Sequence, residues 1–288
     1  MRSVKILAAA GAVSLLSGGA FAADIPSVPP PQYYAPQPAP VEDFGGWYLR
    51  GDIGMTNTNG KLFAPAYNDA STLSVSQVGH EFGSGMSYGL GIGYQFNNWF
   101  RMDITGEYRS KVSFTGNDFA LVHIGNGDYN IGDTYNGGYS SWVGLVNAYA
   151  DLGTWWCITP FIGAGVGFAH NRVSGLSDIT TFPANASADF GVPLTGLYQA
   201  GAASKTNFAW ALHAGLAYRV NQNLTIELAY RYLDLGTART GGGATFDGTT
   251  SNRAFEFRDL TSHDVKFGVR WTCCDVPPPA PPPLVTKG

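Results

Sequence analysis

Between Gly85 and Arg109 the chain alternates on either side of Asn97-Asn98, and that alternation limits it to extended structure. Met86, Tyr88, Leu90, Ile92, Tyr94 and Phe96 are large and apolar, and the residues between them, Ser87, Gly89, Gly91, Gly93 and Gln95, are small or polar. After Asn97-Asn98 the pattern resumes, with Phe100, Met102, Ile104 and Tyr108 set against Arg101, Asp103, Thr105, Glu107 and Arg109. A period of two predicts strands, and the paired asparagines predict a tight hairpin turn. The apolar face is aromatic at its ends and aliphatic in its middle, which is the profile of a lipid-facing band. Hydrocarbon leaves no backbone donor or acceptor a partner in water, so a spanning sheet must close on itself. The stretch reads as one hairpin of a membrane β-barrel.

The N-terminal residues fit export. Arg2 and Lys5 precede an apolar run, Ile6 to Leu16, and an Ala20-Phe21-Ala22 site, so residues 1–22 read as a signal peptide. The run is too short for a membrane-spanning helix, which needs about 20 apolar residues. Residues 23–43 carry Pro26, Pro29, Pro30, Pro31, Pro36, Pro38 and Pro40 and cannot join a ladder. They read as a disordered periplasmic lead, and the Cys- and Pro-rich tail, 273–288, has similar proline content. Either tail could contact the cell wall. A net charge of −4 gives no basic footprint for nucleic acid.

Residues 44–272 hold eight alternating segments, beginning near Gly46, Gly85, Trp99, Tyr139, Pro160, Phe208, Leu224 and Leu260. An even count suits a single-chain bacterial barrel. The connections at Asn97-Asn98, Gly153–Thr159 and Asn221–Asn223 are short, whereas those near 56–83, 110–138, 170–207 and 236–259 are long and polar. Short turns belong on the periplasmic side and long loops outside. The expected architecture is therefore all-β: an eight-stranded antiparallel up-and-down transmembrane barrel with four long extracellular loops and both termini in the periplasm.

The same alternation assigns an inward face. It carries Arg50, Arg101, Arg109, Arg219, Arg231, Lys266 and Arg270 together with Asp52, Asp103, Glu107, Asp151, Glu227 and Asp264. Eight strands leave an interior just wide enough for side chains to fill, so the expectation is an ion-pair network plugging the lumen. A selective pore is the competing reading.

Other motifs carry less. The period-two glycines at 89, 91 and 93 and at 163, 165 and 167 open no helix, so they make room in the lumen and do not form a phosphate loop. Ser262-His263-Asp264 lies on a strand, where His263 points away from its two neighbours and no catalytic relay forms. The chain is not expected to be an enzyme. His80, His123 and His170 fall in or beside three of the expected loops. They are either solvated or, if they converge with loop tyrosines, ligands for haem iron, the one cofactor that arises. Cys157 and Cys273-Cys274 belong to the same periplasmic rim. A bridge from Cys157 to either partner, a vicinal Cys273–Cys274 bridge and three free thiols all remain open.

The segments GWYLRGDIG, LGIGYQFNNWFRMDITGEYR, SWVGLVNAYADLGTWW, ITPFIGAGVGFA, LTIELAYRYLDLG and DVKFGVRW, with the Ala-Ala-Asp-Ile-Pro after the signal peptide, span all eight segments. On these the chain resembles the small outer-membrane β-barrel surface antigens of alpha-proteobacteria, relatives of the opacity proteins and of OmpA/OmpX-type barrels. The resemblance implies residence in the outer membrane among lipid and lipopolysaccharide, and a structural and surface-antigen role. Members are also described as porin-like, or as haem-binding or adhesive proteins whose loops meet a host or cell-surface ligand. One departure is that Trp271 is followed by Thr272-Cys273-Cys274 and a proline-rich tail, where many barrels end on a terminal aromatic.

Overall fold

The computed structural model describes residues 45–64, 70–191 and 193–273. The signal peptide, the proline-rich lead, the C-terminal tail with Cys274, and Tyr67 lie outside the described residues. Twelve strands and one short helix follow in order: β1 (Gly46–Phe63), β2 (Thr72–Phe82), β3 (Gly85–Gln95), β4 (Phe100–Ile124), β5 (Gly127–Asp151), β6 (Ile158–Thr181), α1 (Ala184–Phe190), β7 (Thr195–Ala200), β8 (Ala203–Arg219), β9 (Leu224–Arg239), β10 (Gly243–Thr245), β11 (Thr250–Ser251) and β12 (Glu256–Cys273). Eight of them, β1, β3, β4, β5, β6, β8, β9 and β12, pair antiparallel in that order, and β1 pairs β12 to close the ring.

The two asparagine turns are built alike. Asn97 Oδ1 accepts from the backbone N–H of Trp99 and Phe100 at 3.0 and 2.7 Å, and Asn221 Oδ1 accepts from Asn223 and Leu224 at 2.9 and 2.8 Å. A short amide side chain thus satisfies the donors that a tight reversal leaves free. The third short turn is different. Trp155 and Ile158 exchange backbone hydrogen bonds at 2.8 and 2.9 Å across Trp156 and Cys157, both at positive φ, as a primed hairpin turn requires.

A transmembrane strand needs about 9–11 residues. β4 and β5 each have 25, so more than half of each rises beyond the bilayer. The four connections expected as polar loops are accordingly built largely of β-structure. β1, β4, β5, β6, β8, β9 and β12 continue upward, β2 pairs the upper part of β4, and β7, β10 and β11 extend from upper β6.

The sense of the alternation reverses along this length. Within the bilayer, the polar residues Arg101, Asp103, Glu107 and Arg109 of β4 face inward, while Leu90 of β3 is 75% exposed toward lipid. A bulge between Arg109 and Val112 shifts β4 by one residue, and above it Val112, Phe114 and Ala120 are inside with Lys111, Ser113, Thr115 and Asn117 outside. The same switch occurs at Gly175 in β6, Gly236 in β9 and Asp259 in β12, all at positive φ. Gly175 and Gly236 occupy the left-handed conformation that a bulge of this kind demands. Below the switch the strands meet lipid outside; above it they meet water outside and need an apolar interior.

Candidate functional site

The lower lumen holds a closed set of charges, brought inward by the period-two rule on five strands. Arg50 Nη1 lies 2.9 Å from Asp103 and its Nη2 3.6 Å from Glu227. Arg101 reaches Asp151 at 3.2 Å and Glu227 at 3.3 Å, and its guanidinium stacks 4.2 Å from the Tyr149 ring centroid. Arg231 reaches both Glu107 and Asp264 at 2.6 Å. Arg109 meets Asp264 at 2.9 Å and Glu107 at 3.4 Å, Lys266 joins Asp52 and meets Glu107 at 2.6 Å, and Arg270 meets Glu227 at 3.3 Å. Six cations thus interlock with six anions, no side chain among them more than 9% exposed. Neutral groups fill the gaps: Asn147 Nδ2 donates to Asp103 at 2.7 Å, and Ser262 Oγ accepts from Arg109 Nη2 at 2.5 Å and donates to Asp264 at 2.6 Å. The lumen glycines give the rings space, for a Cβ at Gly93 would collide with Tyr48 and one at Gly163 with Tyr149.

Arg219 is not part of this set. It is the last residue of β8, exposed at the short-turn end of the lumen, in a notch with Asp151, Arg270 and Gln95.

Directly above the charges lies an apolar cluster that the composition of the expected loops concealed. The Phe82 ring sits 4.8 Å from Phe114, 5.7 Å from Tyr139 and 5.9 Å from Phe257, and Phe114 and Phe257 meet edge-on at 4.8 Å. Leu62, Leu176, Leu233, Leu235 and Leu260 complete it, none more than 1% exposed. Asn171, fully buried, donates to the carbonyls of Leu235 and Thr237 at 2.7 and 2.9 Å, satisfying the backbone on either side of the Gly236 bulge. The readable signal was the alternation of Val112, Phe114 and Ala120, displaced by one residue from that of the membrane segment.

Near the top of the extension a cavity of about 520 Å³ is lined by Ile131, Asp133, Tyr135, Asp178, Tyr198 and Phe255, among others. Asp118 lies opposite Asp133 in the β4–β5 register and accepts from Tyr135 Oη at 3.2 Å. Burial, then repulsion from Asp133, pushes the Asp118 carboxyl up to about 7. Burial and repulsion from Asp133 and Asp118 push Asp178 up to about 8, and burial raises Asp133. Among the described residues no three His, Cys, Asp or Glu side chains are placed to hold a metal ion.

The three histidines do not come together. His80 stacks on Phe114 beneath the extension wall, and burial lowers its basicity. His123 meets Asp128 at 2.6 Å at the β4–β5 tip, and His170 faces outward on β6 with Nδ1 2.8 Å from Thr206 Oγ1. In the register, His80 is level with Gly116 and His123 is seven residues further up β4. At about 3.3 Å per residue this separation is roughly 23 Å, far beyond a shared iron. His263 faces outward, bonded to Tyr230 Oη at 2.5 Å, while Ser262 and Asp264 bond each other on the lumen side. Cys157 and Cys273 are both free thiols in the structure. Cys157 caps β8 by accepting from Arg219 N at 3.0 Å, whereas Cys273 ends β12 beside Trp47, with β9 between those strands.

Residues 8–272 match the family model described as "outer membrane protein beta-barrel domain". The chain belongs to that family. The barrel is a bacterial outer-membrane protein, and its short turns accordingly face the periplasm. An uncharacterized protein of Brucella abortus is 31% identical to it over 223 residues, covering 73% of each chain. Outer membrane protein PagN of Salmonella typhimurium is 28% identical, covering 66% of this barrel and 75% of PagN. A Rickettsia typhi protein named a putative adhesin is 24% identical, covering 78% of this barrel and 87% of its own length.

Proposed function

We propose that this protein is a sealed structural barrel and surface antigen, not a porin and not an enzyme. The observation that carries the reading is the sequence of fillings along one axis: a neutral ion-pair set, then an aromatic and aliphatic stopper. A permeating ion would have to separate buried, mutually compensated charges and then cross a dry apolar layer, each costly in a low-dielectric interior. Planar-bilayer recording of the refolded protein tests this. No stepwise conductance is expected, and openings of general-porin size would overturn the reading in favour of a small pore.

The outward surface of the extension supports a recognition role beside the structural one. Its outward positions mix polar residues, hydrogen-bonded along the ladder as in Asn117 with Thr134 at 3.0 Å, with exposed apolar ones such as Val78 and Phe119, so it forms a firm platform for a host or cell-surface ligand, and one relative carries the name of a putative adhesin. Binding of the refolded barrel to cell monolayers, compared with a variant trimmed of residues 113–137, reads this directly: equal binding by both would end it.

A further inference from the structure

Two adjacent outward rows mark the upper edge of the membrane segment. Tyr108, Trp142 and His170 stand side by side on β4, β5 and β6, with the Tyr108 and Trp142 rings 4.8 Å apart. One step higher, Ser140 pairs with Arg172, and Lys111 stands in the β4 bulge. The Lys111 stem lies flat across Gly138 of β5, so close that a Cβ there would collide with its Cε, and Gly138 pairs with Ser174 of β6. The missing side chain at 138 therefore lets Lys111 lean toward the strand that carries Arg172. Together these residues line a notch of about 390 Å³ opening to the outside of the barrel.

The charges in this notch are unlike the other ion pairs of the extension. Lys61 meets Asp259 at 3.1 Å and Arg258 meets Glu256 at 2.9 Å. Among the described residues neither Lys111 nor Arg172 has a carboxylate within ion-pair distance, although the fold turns both toward one notch. Two like charges that converge repel each other, and an anion bound between them relieves that repulsion. Lysine supplies a point charge and arginine a planar fork, the usual pair for a phosphate, and the serine hydroxyls can donate to its remaining oxygens.

The position identifies the source. Tyr and Trp rings mark the level of the lipid headgroups, and the cations sit one row above them on the outer side. We propose that the Lys111–Arg172 notch binds a phosphate of a phosphorylated glycolipid in the outer leaflet, with Trp142 and Tyr108 flanking its sugar or upper acyl portion. The site is independent of whether the lumen conducts.

The test uses the full-length barrel refolded in uncharged detergent, with bisphosphorylated lipid A, enzymatically dephosphorylated lipid A and inorganic phosphate as probes. Bound lipid is counted by native mass spectrometry. Bisphosphorylated lipid A should bind saturably, and K111A/R172A should weaken it about tenfold or more, with heat-modified gel migration unchanged. K111R/R172K, which keeps both charges, should retain most of the affinity, and this second variant holds the test open should K111A/R172A fold poorly. Equal affinity of wild type and K111A/R172A, or equal binding of the dephosphorylated lipid, would overturn the proposal. Saturation of the notch by inorganic phosphate at the same concentration as lipid A would overturn the lipid assignment.

Discussion

Arg231 is the junction of the lower lumen, and its removal gives the sharpest prediction. Its Nη2 reaches Glu107 and Asp264 at 2.6 Å, and its Nε reaches Asp264 at 3.0 Å. In Arg231→Met the stem volume is largely kept, but six buried anions remain on five cations. Glu107 retains Lys266 at 2.6 Å, and Asp264 retains Arg109 at 2.9 Å and the Ser262 hydroxyl at 2.6 Å. Breaking one partner of a buried pair costs about 3–5 kcal/mol, and these surviving partners place the expected loss near about 3 kcal/mol. Asp264→Asn added to Arg231→Met returns the count to balance, so the double variant should regain much of the loss, with a coupling of about 1–3 kcal/mol. Reversible urea unfolding in lipid vesicles, followed by tryptophan fluorescence and by gel migration without heating, measures both. A single variant within about 0.5 kcal/mol of wild type, or strict additivity in the double, would refute the interlocked network.

Three further outcomes follow from the geometry. Leu228→Arg, on the lipid face, should cost about 2–4 kcal/mol of barrel stability and lower folding yield in vesicles, whereas Ser113→Arg, outward on the same barrel but above the bilayer, should change it by less than about 0.5 kcal/mol; equal yields would remove the assigned membrane boundary. Phe114→Ala and Phe257→Ala should each cost the stopper about 3–5 kcal/mol and expose the extension to proteases while the membrane part stays intact; simultaneous loss of both parts would show one cooperative unit. The raised Asp118 and Asp178 carboxyls bind protons more readily folded than unfolded, so the extension should lose stability as pH rises from about 4 through about 7 and about 8, where they ionise; amide exchange at residues 131–135, corrected for its intrinsic rate, should accelerate toward pH 9 and lose that trend in Asp118→Asn/Asp178→Asn, and unchanged or greater protection at pH 9 would contradict this.

The membrane segment was legible because lipid leaves an uncommon pattern: Leu90, Ile92 and Leu228 outward with arginines and carboxylates between them. Alternation also identified the inward charges, but could not say which meet, since Glu107 and Arg231 are 124 residues apart in sequence. Arg219 has the right parity and the wrong height, and parity carries no information about height. The extension was unreadable as strand because polar residues interrupt its apolar ones on both faces and its parity slips at residues 110–111, 175, 236 and 259. Histidines assigned to loops could not be placed without knowing that those loops are ribbons tens of ångströms long.

The bulges leave every strand that carries one with two opposite instructions: lipid outside below, water outside above. In the upper part, the side chains seen from the medium are those that contribute nothing to the packed interior, while Phe114, Phe257 and the leucines are hidden. A change at Ser113 or Thr115 alters the face turned to the medium without disturbing the packed interior that holds the ribbon upright. Appearance and architecture are thus written on alternate residues of the same strand, and the first can drift while the second stays put.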